Sequence, residues 1–372
     1  ARMAVHVIDR AEASGALHAG GTIVEATSGN TGAALAMVGA VRGYKCVFVV
    51  PDKIAPEKIA ALRAYGAKVV VAPSTVEPDD PRSLVSLARK VAEGTPNSFF
   101  ANQFENADNP AAFEASLGPE IWEQTGGELD AVVAGLGSGG TLMGIGRYLS
   151  AKKPQLAIIG VDPRGSLYHG IAAEGRVTTP SAYQLEGIGS DFVPRILDVA
   201  SLDAIEQVDD ATAFRCTRDL ARLEGIFCGG SSGAAVAGAI AWARRVGGPK
   251  KVLAILPDRA SNYLSKIFND DWMRENGFLE DDDGLGTIRD LLQQKGGEGV
   301  ITAKASDRVR DVVSRMKAHG ISQLPVMRGD TLVGAVAEVD LHRHLVSGES
   351  SPNTPVEPLA ENKCVALAAT PL

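Results

Sequence analysis

Gly135-Leu136-Gly137-Ser138-Gly139-Gly140-Thr141 follows the apolar run Ala131–Ala134 and leads into Thr141–Ala151, whose spacing predicts a helix. Glycines at this junction let the backbone close around a phosphate, and the helix dipole favours its negative charge. A buried strand, a glycine turn and a helix together make the repeating unit of a parallel α/β sheet. The same alternation extends in both directions. Strands are expected at Thr22–Glu25, Lys45–Val50, Lys68–Val71, Ala157–Val161 and Lys251–Leu256. Helices are expected at Thr31–Arg42, Pro56–Tyr65, Pro81–Glu93, Ala111–Gln124, Ala211–Leu223 and Gly233–Val246. Continuous apolar strands separated by helices describe a parallel sheet covered on both faces, with ligands bound beyond the carboxyl ends of the strands.

Two more loops of this kind lie on the same pattern. Thr27-Ser28-Gly29-Asn30-Thr31 offers hydroxyls, an amide and free backbone N–H groups at a helix start, a set suited to a carboxylate. Cys228-Gly229-Gly230-Ser231-Ser232-Gly233 could admit a flat ring beside its glycines, with Ser231 presenting a hydroxyl to a ring nitrogen. A competing reading comes from Gly135, Gly137 and Gly140, which satisfy G-x-G-x-x-G, with Asp162 about 20 residues further on, as in an NAD-dependent oxidoreductase. One dinucleotide would leave the other two loops unexplained. A ligand with a phosphate, a ring and an amino-acid part uses all three.

The 372 residues are too many for one ordinary core, and 45% apolar content is enough to build more than one. A net charge of −8 argues against a nucleic-acid partner. No apolar run has the length of a membrane span. Cys46, Cys216, Cys228 and Cys364 follow no metal or disulfide spacing, which suits reduced thiols in the cytoplasm. His342-Arg343-His344 reads as a solvated helix face, and no metal site is expected. Met3–Ala13 reads as a helix entered in its first turn, so a segment is expected before Ala1.

Near Phe278 the pattern changes. Glu280-Asp281-Asp282-Asp283-Gly284 reads as part of a linker over 279–298. A small α+β unit follows over 299–372, with a helix at Asp307–His319 and strands near Gln323–Met327 and Leu332–Val336. A unit of this size buries little core alone and calls for a partner repeat.

The loops and their order resemble the cysteine synthase and cystathionine β-synthase group, within the β-family of fold-type II pyridoxal-phosphate enzymes. The resemblance covers residues 1–278, the catalytic core. It rests on Arg2-Met3-Ala4, Thr27–Thr31, Pro51-Asp52-Lys53, Asn102-Gln103-Phe104, Gly118-Pro119-Glu120-Ile121, Gly137–Thr141 and Gly229–Gly233. It implies a two-domain core of parallel sheets flanked by helices, with a small domain over about 41–141, and usually a homodimer or larger homo-oligomer. By the same resemblance Gly137, Ser138, Gly139, Gly140 and Thr141 would hold the phosphate of pyridoxal 5'-phosphate. Asn30 would bond the ring hydroxyl, and Ser231 would face the pyridine nitrogen. Thr27, Ser28, Gly29, Thr31 and Gln103 would grip the substrate carboxylate, with Gly187 also at the substrate.

Glu186-Gly187-Ile188-Gly189, Asp191-Phe192-Val193-Pro194, Asn269–Met273 and Gly277-Phe278-Leu279 resemble the cystathionine-forming branch. That branch condenses L-serine with L-homocysteine, and Glu186 would pair the second substrate's amino group. Asn102-Gln103-Phe104 leans toward cysteine synthases, which use O-acetylserine and sulfide, and Ser190 stands where an aromatic residue is usual. The family's Schiff-base lysine sits in a Lys-Asp-Arg-like motif; with Arg2 in its last place, that lysine would fall just before Ala1. Ile321–Val326 and Gly334–Leu341 resemble the first repeat of a CBS-domain pair. There Asp340 fits a ribose-contacting position of an adenosyl ligand, while Ala337 replaces the usual hydroxyl residue.

Overall fold

Strand β1 (Thr22–Ala26) is apolar except for Thr22 and Glu25 and buried along its whole length, as a central strand of a parallel sheet must be. It pairs on one side with β2 (Lys45–Pro51), which pairs with β3 (Lys68–Ala72), and on the other with β4 (Ser98–Phe100), all parallel. A second parallel sheet has the order β7-β6-β5-β8, from β5 (Ala131–Gly135), β6 (Ala157–Pro163), β7 (Ala204–Val208) and β8 (Val252–Ala254). The computed structural model describes residues 1–360 apart from Ser28, Thr75, Pro78, Asp79, Thr178, 280–299, Asp330 and Glu349. The expected linker therefore lies almost wholly outside the described residues, as does Cys364.

Helices cover both sheets. On the first, α1 (Arg2–Ala13) buries Met3, Val7, Ile8 and Ala11, an i, i+4 face, in a core with Ile23, Leu35 and Phe48. Each large side chain in that core contributes roughly 1.5–3 kcal/mol. The helix α2 (Asn30–Arg42) ends at Gly43 in the left-handed conformation. The helices α3 (Pro56–Ala64) and α4 (Leu84–Glu93) follow. The single helix expected over 111–124 is two, α5 (Asp108–Ala115) and α6 (Leu117–Thr125), broken at Ser116. Beyond the break Gly118 lies against Tyr148, where a Cβ would come within 2.7 Å of the ring's own Cβ.

On the second sheet are α7 (Gly140–Lys152), α8 (Tyr168–Glu174), α9 (Asp210–Glu224), α10 (Gly230–Val246) and α11 (Asp270–Glu275). At Gly233 an added Cβ would fall 2.1 Å from Thr217 Oγ1, so only glycine permits so close a crossing of α9 and α10. The division into sheets differs from the expected 41–141 stretch. Strand β1, before residue 41, belongs to the first sheet, and β5, before residue 141, belongs to the second.

Residues Ala1–Leu279 form one compact unit and Glu280–Leu372 another. In the second, β9 (Ala303–Lys304) runs parallel to β10 (Gln323–Arg328), which pairs antiparallel with β11 (Thr331–Ala337). The helices α12 (Val309–His319) and α13 (Glu338–Ser347) supply Val309, Val312, Met316 and Leu341 to a core with Leu324, Val326 and Val336.

Candidate active site

Three helices open with glycine as N-cap, a residue with no side chain to cap them: α2 at Gly29, where Thr27 takes only the Gly32 N–H of the first turn, α7 at Gly139 and α10 at Gly229. Elsewhere α4, α9 and α11 are capped by Ser83, Asp209 and Asn269. An uncapped helix start keeps backbone N–H donors available for an anion. These three starts are the three loops singled out in the sequence.

The glycine loop before α7 is held from behind. Tyr168 donates to the Gly137 carbonyl at 2.7 Å, and Gly189 N–H donates to the Leu136 carbonyl at 2.6 Å. At Gly137 a Cβ would fall 2.6 Å from the Gly187 carbonyl, and at Gly140 it would fall 2.1 Å from Asn109 Oδ1, so side chains are excluded at both positions. Asn109 Nδ2 donates to Ser138 Oγ at 3.1 Å and to the Gln103 carbonyl at 2.8 Å. One amide thus joins the phosphate-compatible loop to the Asn102-Gln103 segment.

Thr27 Oγ1 accepts from Gly29 N–H at 3.1 Å and from Gly32 N–H at 3.0 Å, which shapes the first loop and leaves the hydroxyl proton to donate. Gly29 has φ 151°, open to glycine, and a Cβ there would meet the Lys58 side chain at 3.1 Å. Thr31 Oγ1 donates to Gln103 Oε1 at 2.7 Å, while Gln103 Nε2 donates to the Ala26 carbonyl at 2.7 Å. Asn30 is exposed at the start of α2. Of the carboxylate set, Thr27, Gly29, Thr31 and Gln103 come together; Ser28 lies outside the described residues.

Ser231 is 2% exposed in the first turn of α10, and its hydroxyl finds no hydrogen-bond partner among the described residues. Next to it, a Cβ on Gly229 would fall 2.3 Å from Asp258 Oδ1. Asp258 accepts from the Tyr263 hydroxyl at 2.6 Å. Burial raises the Asp258 carboxyl above its usual range, against the lowering effect of Tyr263. A half-buried acid thus lies against the start of α10.

Glu186 is also buried, and both its oxygens are taken. Lys58 Nζ lies 2.9 Å from Oε2 and Lys266 Nζ 2.7 Å from Oε1, with Ala55 N–H at 3.3 Å. Burial alone would raise this carboxyl, but the charges of Lys58 and Lys266 outweigh it and hold it below the usual range. Lys58 Nζ also sits 4.3 Å from the centre of the Tyr263 ring. An incoming ammonium would have to displace one of the two lysines. Gly187, with φ 86°, is exposed beside this cluster.

Asp162, the acid of the dinucleotide reading, is fully buried and accepts the His169 backbone N–H at 2.9 Å. Burial pushes it up to about 6. Its Oδ2 is committed to its own loop.

Lys58, Lys266, Asp258, Tyr263 and Asn109 were not singled out from the sequence as site residues. Asp258 carried a usable signal, since Pro257-Asp258 follows β8 at the carboxyl end of the second sheet, where ligands bind. The lysines carried none, because only the tertiary fold brings residues 58 and 266 to Glu186.

The description "Pyridoxal-phosphate dependent enzyme" matches residues 1–258, and the chain belongs to that family. The description "CBS domain" matches residues 297–347. Among its relatives, cystathionine beta-synthase of Mus musculus is 37% identical over 359 residues, covering 95% of this chain and 64% of that protein. The chain thus spans less than two thirds of that relative's length. Cysteine synthase of Helicobacter pylori (strain ATCC 700392 / 26695) is 39% identical over 71% of this chain and 83% of its own. The crystal structure of O-acetylserine dependent cystathionine beta-synthase from Helicobacter pylori matches with a TM-score of 0.65 and 39% identity, over 71% of this chain and 83% of that one. These findings bear out the fold-type II core of parallel sheets with a small CBS module, and they set aside the NAD-dependent reading.

The site fits pyridoxal phosphate. The uncapped start of α7 with its side-chain-excluding glycines would hold the phosphate, Asn30 the ring hydroxyl, and the buried, unpartnered Ser231 hydroxyl the ring nitrogen.

Proposed function

We propose that the protein carries out β-replacement: L-serine loses water as its Cβ–O bond breaks, and the thiol of L-homocysteine forms the new Cβ–S bond of cystathionine. The observation that carries this reading is the buried Ser231 hydroxyl left without a partner at the start of α10. Bound pyridoxal phosphate supplies the electron sink for bonds at the substrate α-carbon. Ser231 gives the ring nitrogen a neutral partner, unlike a carboxylate, so less charge is drawn into the ring and loss of the β-substituent is favoured over transamination. Thr27, Thr31, Gln103 and the α2 start orient the substrate carboxylate, and Ser28 belongs to that set by resemblance. Glu186 holds Lys58 and Lys266 beside the site, and we assign the second substrate's polar end to this cluster.

A second reading is cysteine synthesis from O-acetylserine and sulfide, favoured by Asn102-Gln103-Phe104 and by the Helicobacter relative. The protein is supplied with pyridoxal phosphate and either substrate pair, and products are identified by mass spectrometry. Cystathionine as the dominant product is expected; cysteine alone would establish the second reading instead. The same proposal includes a cytoplasmic homodimer, testable by sedimentation. It also includes an adenosyl ligand at Asp340, in the first turn of α13, testable by calorimetry with adenosyl compounds.

A further inference from the structure

Strand pairing between β1 and β4 ends early. The last paired residues are Val24 and Phe100, and Ala101 N–H donates to the Val24 carbonyl at 3.0 Å. Asn102 then turns the chain away with φ 48°, a left-handed conformation that asparagine tolerates better than most residues. The next position of the ladder is filled by a side chain. Glu25 Oε1 accepts the Ala26 N–H at 2.8 Å, and Oε2 accepts the Gln103 N–H at 3.2 Å. The Gln103 side chain closes the ring by donating to the Ala26 carbonyl while accepting from Thr31. Glu25 is 0% exposed, in the middle of a strand whose other buried positions are mostly apolar.

We propose that Glu25 is a positioning residue for the substrate carboxylate: it takes the place of missing strand pairing and holds Gln103 against Ala26, which sets Gln103, Thr31 and Thr27 in register. A buried carboxyl is an expensive way to fill a core position, and burial pushes this one up to about 8 despite four hydrogen-bond contributions that lower it. The need for two acceptors explains its retention. Either protonation state keeps a lone pair on each oxygen, so both backbone N–H groups stay satisfied. An amide keeps acceptor capacity on only one of its two ends.

The inference rests on the proposed function, and its test separates the two. The chain is titrated calorimetrically with N-(5'-phosphopyridoxyl)-L-serine, a stable secondary amine carrying phosphate, ring and carboxylate. It is also titrated with pyridoxamine 5'-phosphate, which lacks the carboxylate. Glu25→Gln is expected to weaken the serine adduct about tenfold, as for loss of one hydrogen bond to a charged group, and to leave pyridoxamine phosphate within about twofold. Glu25→Asp keeps both acceptor oxygens but is one methylene shorter, and is expected to show the same selective loss. Equal losses for both ligands, no loss for either, or failure of both variants to fold would make Glu25 a purely structural residue and overturn the inference. If the unaltered chain binds neither ligand, the proposed function fails first.

Discussion

Replacing Glu186 with glutamine leaves two ammonium groups facing an uncharged amide in a buried place. The carboxylate and Lys58 side chains are each 4% exposed, and Lys266 is 17% exposed. At an effective dielectric of about 20, charges about 3 Å apart attract by roughly 5–6 kcal/mol, most of which only offsets the loss of hydration. Deleting one partner is costlier than that balance suggests, because the remaining charge stays buried; the usual range is roughly 3–5 kcal/mol. Glu186→Gln is therefore expected to destabilise the catalytic unit by about 3–5 kcal/mol near neutral pH. Urea unfolding followed by the fluorescence of Trp122, Trp242 and Trp272 measures it. The double variant Glu186→Gln/Lys58→Met should recover at least about 1 kcal/mol, since it removes the more buried of the two lysine charges. The pH dependence has a fixed sign. The folded Glu186 carboxyl lies below its ordinary value, so its contribution is present above about pH 4.5 and is lost as pH falls through the folded value. A Glu186→Gln loss under about 1 kcal/mol, with effects that simply add in the double variant, would refute the buried three-charge cluster.

Ser231→Ala removes a buried hydroxyl that has no partner among the described residues, so its unfolding free energy should hold or rise by up to about 1 kcal/mol. Pyridoxal phosphate binding, read by calorimetry, should weaken in the same variant. Gly140→Ala drives a methyl group into Asn109 and should reduce phosphate-ester binding about tenfold or more, with free phosphate affected in parallel. Glu25 titrates at about 8 when folded and at about 4.5 when unfolded, so the folded state binds the extra proton between these values. Stability should consequently fall as pH rises from about 4.5 to about 8, at up to about 1.4 kcal/mol per pH unit, and Glu25→Gln should flatten that slope in urea titrations at several pH values.

The strands that read as continuous apolar runs were legible, because burial on both faces leaves no room for alternation. Strand β7, Ala-Ile-Glu-Gln-Val, was missed, since at the sheet edge only Ile205 and Val208 are buried and Glu206-Gln207 interrupt the apolar run. Strand β4 has only three residues and is fixed by its pairing with Thr22–Val24. At the site, the glycine loops could be read because glycine and hydroxyl clusters before a helix have a local cause. The two lysines around Glu186 could not, since their function depends on contacts across 128 and 80 positions. Asn109 lay before the helix expected over 111–124 and drew no reading; its importance comes from the one carbonyl and one hydroxyl that the fold brings to its amide.

That amide also makes the site a gauge of length. Asn109 spans the gap from Ser138 to the Gln103 carbonyl, so on the proposed function a single rigid group would set the spacing between the phosphate seat and the carboxylate seat. A ligand whose two negative ends match the spacing fills both seats without moving it, and each end bound lowers the cost of binding the other by the same amount. On the proposed function, an α-amino acid would be told from an amine with no carboxylate, or from one whose carboxylate stands a carbon further off, before any side chain is inspected.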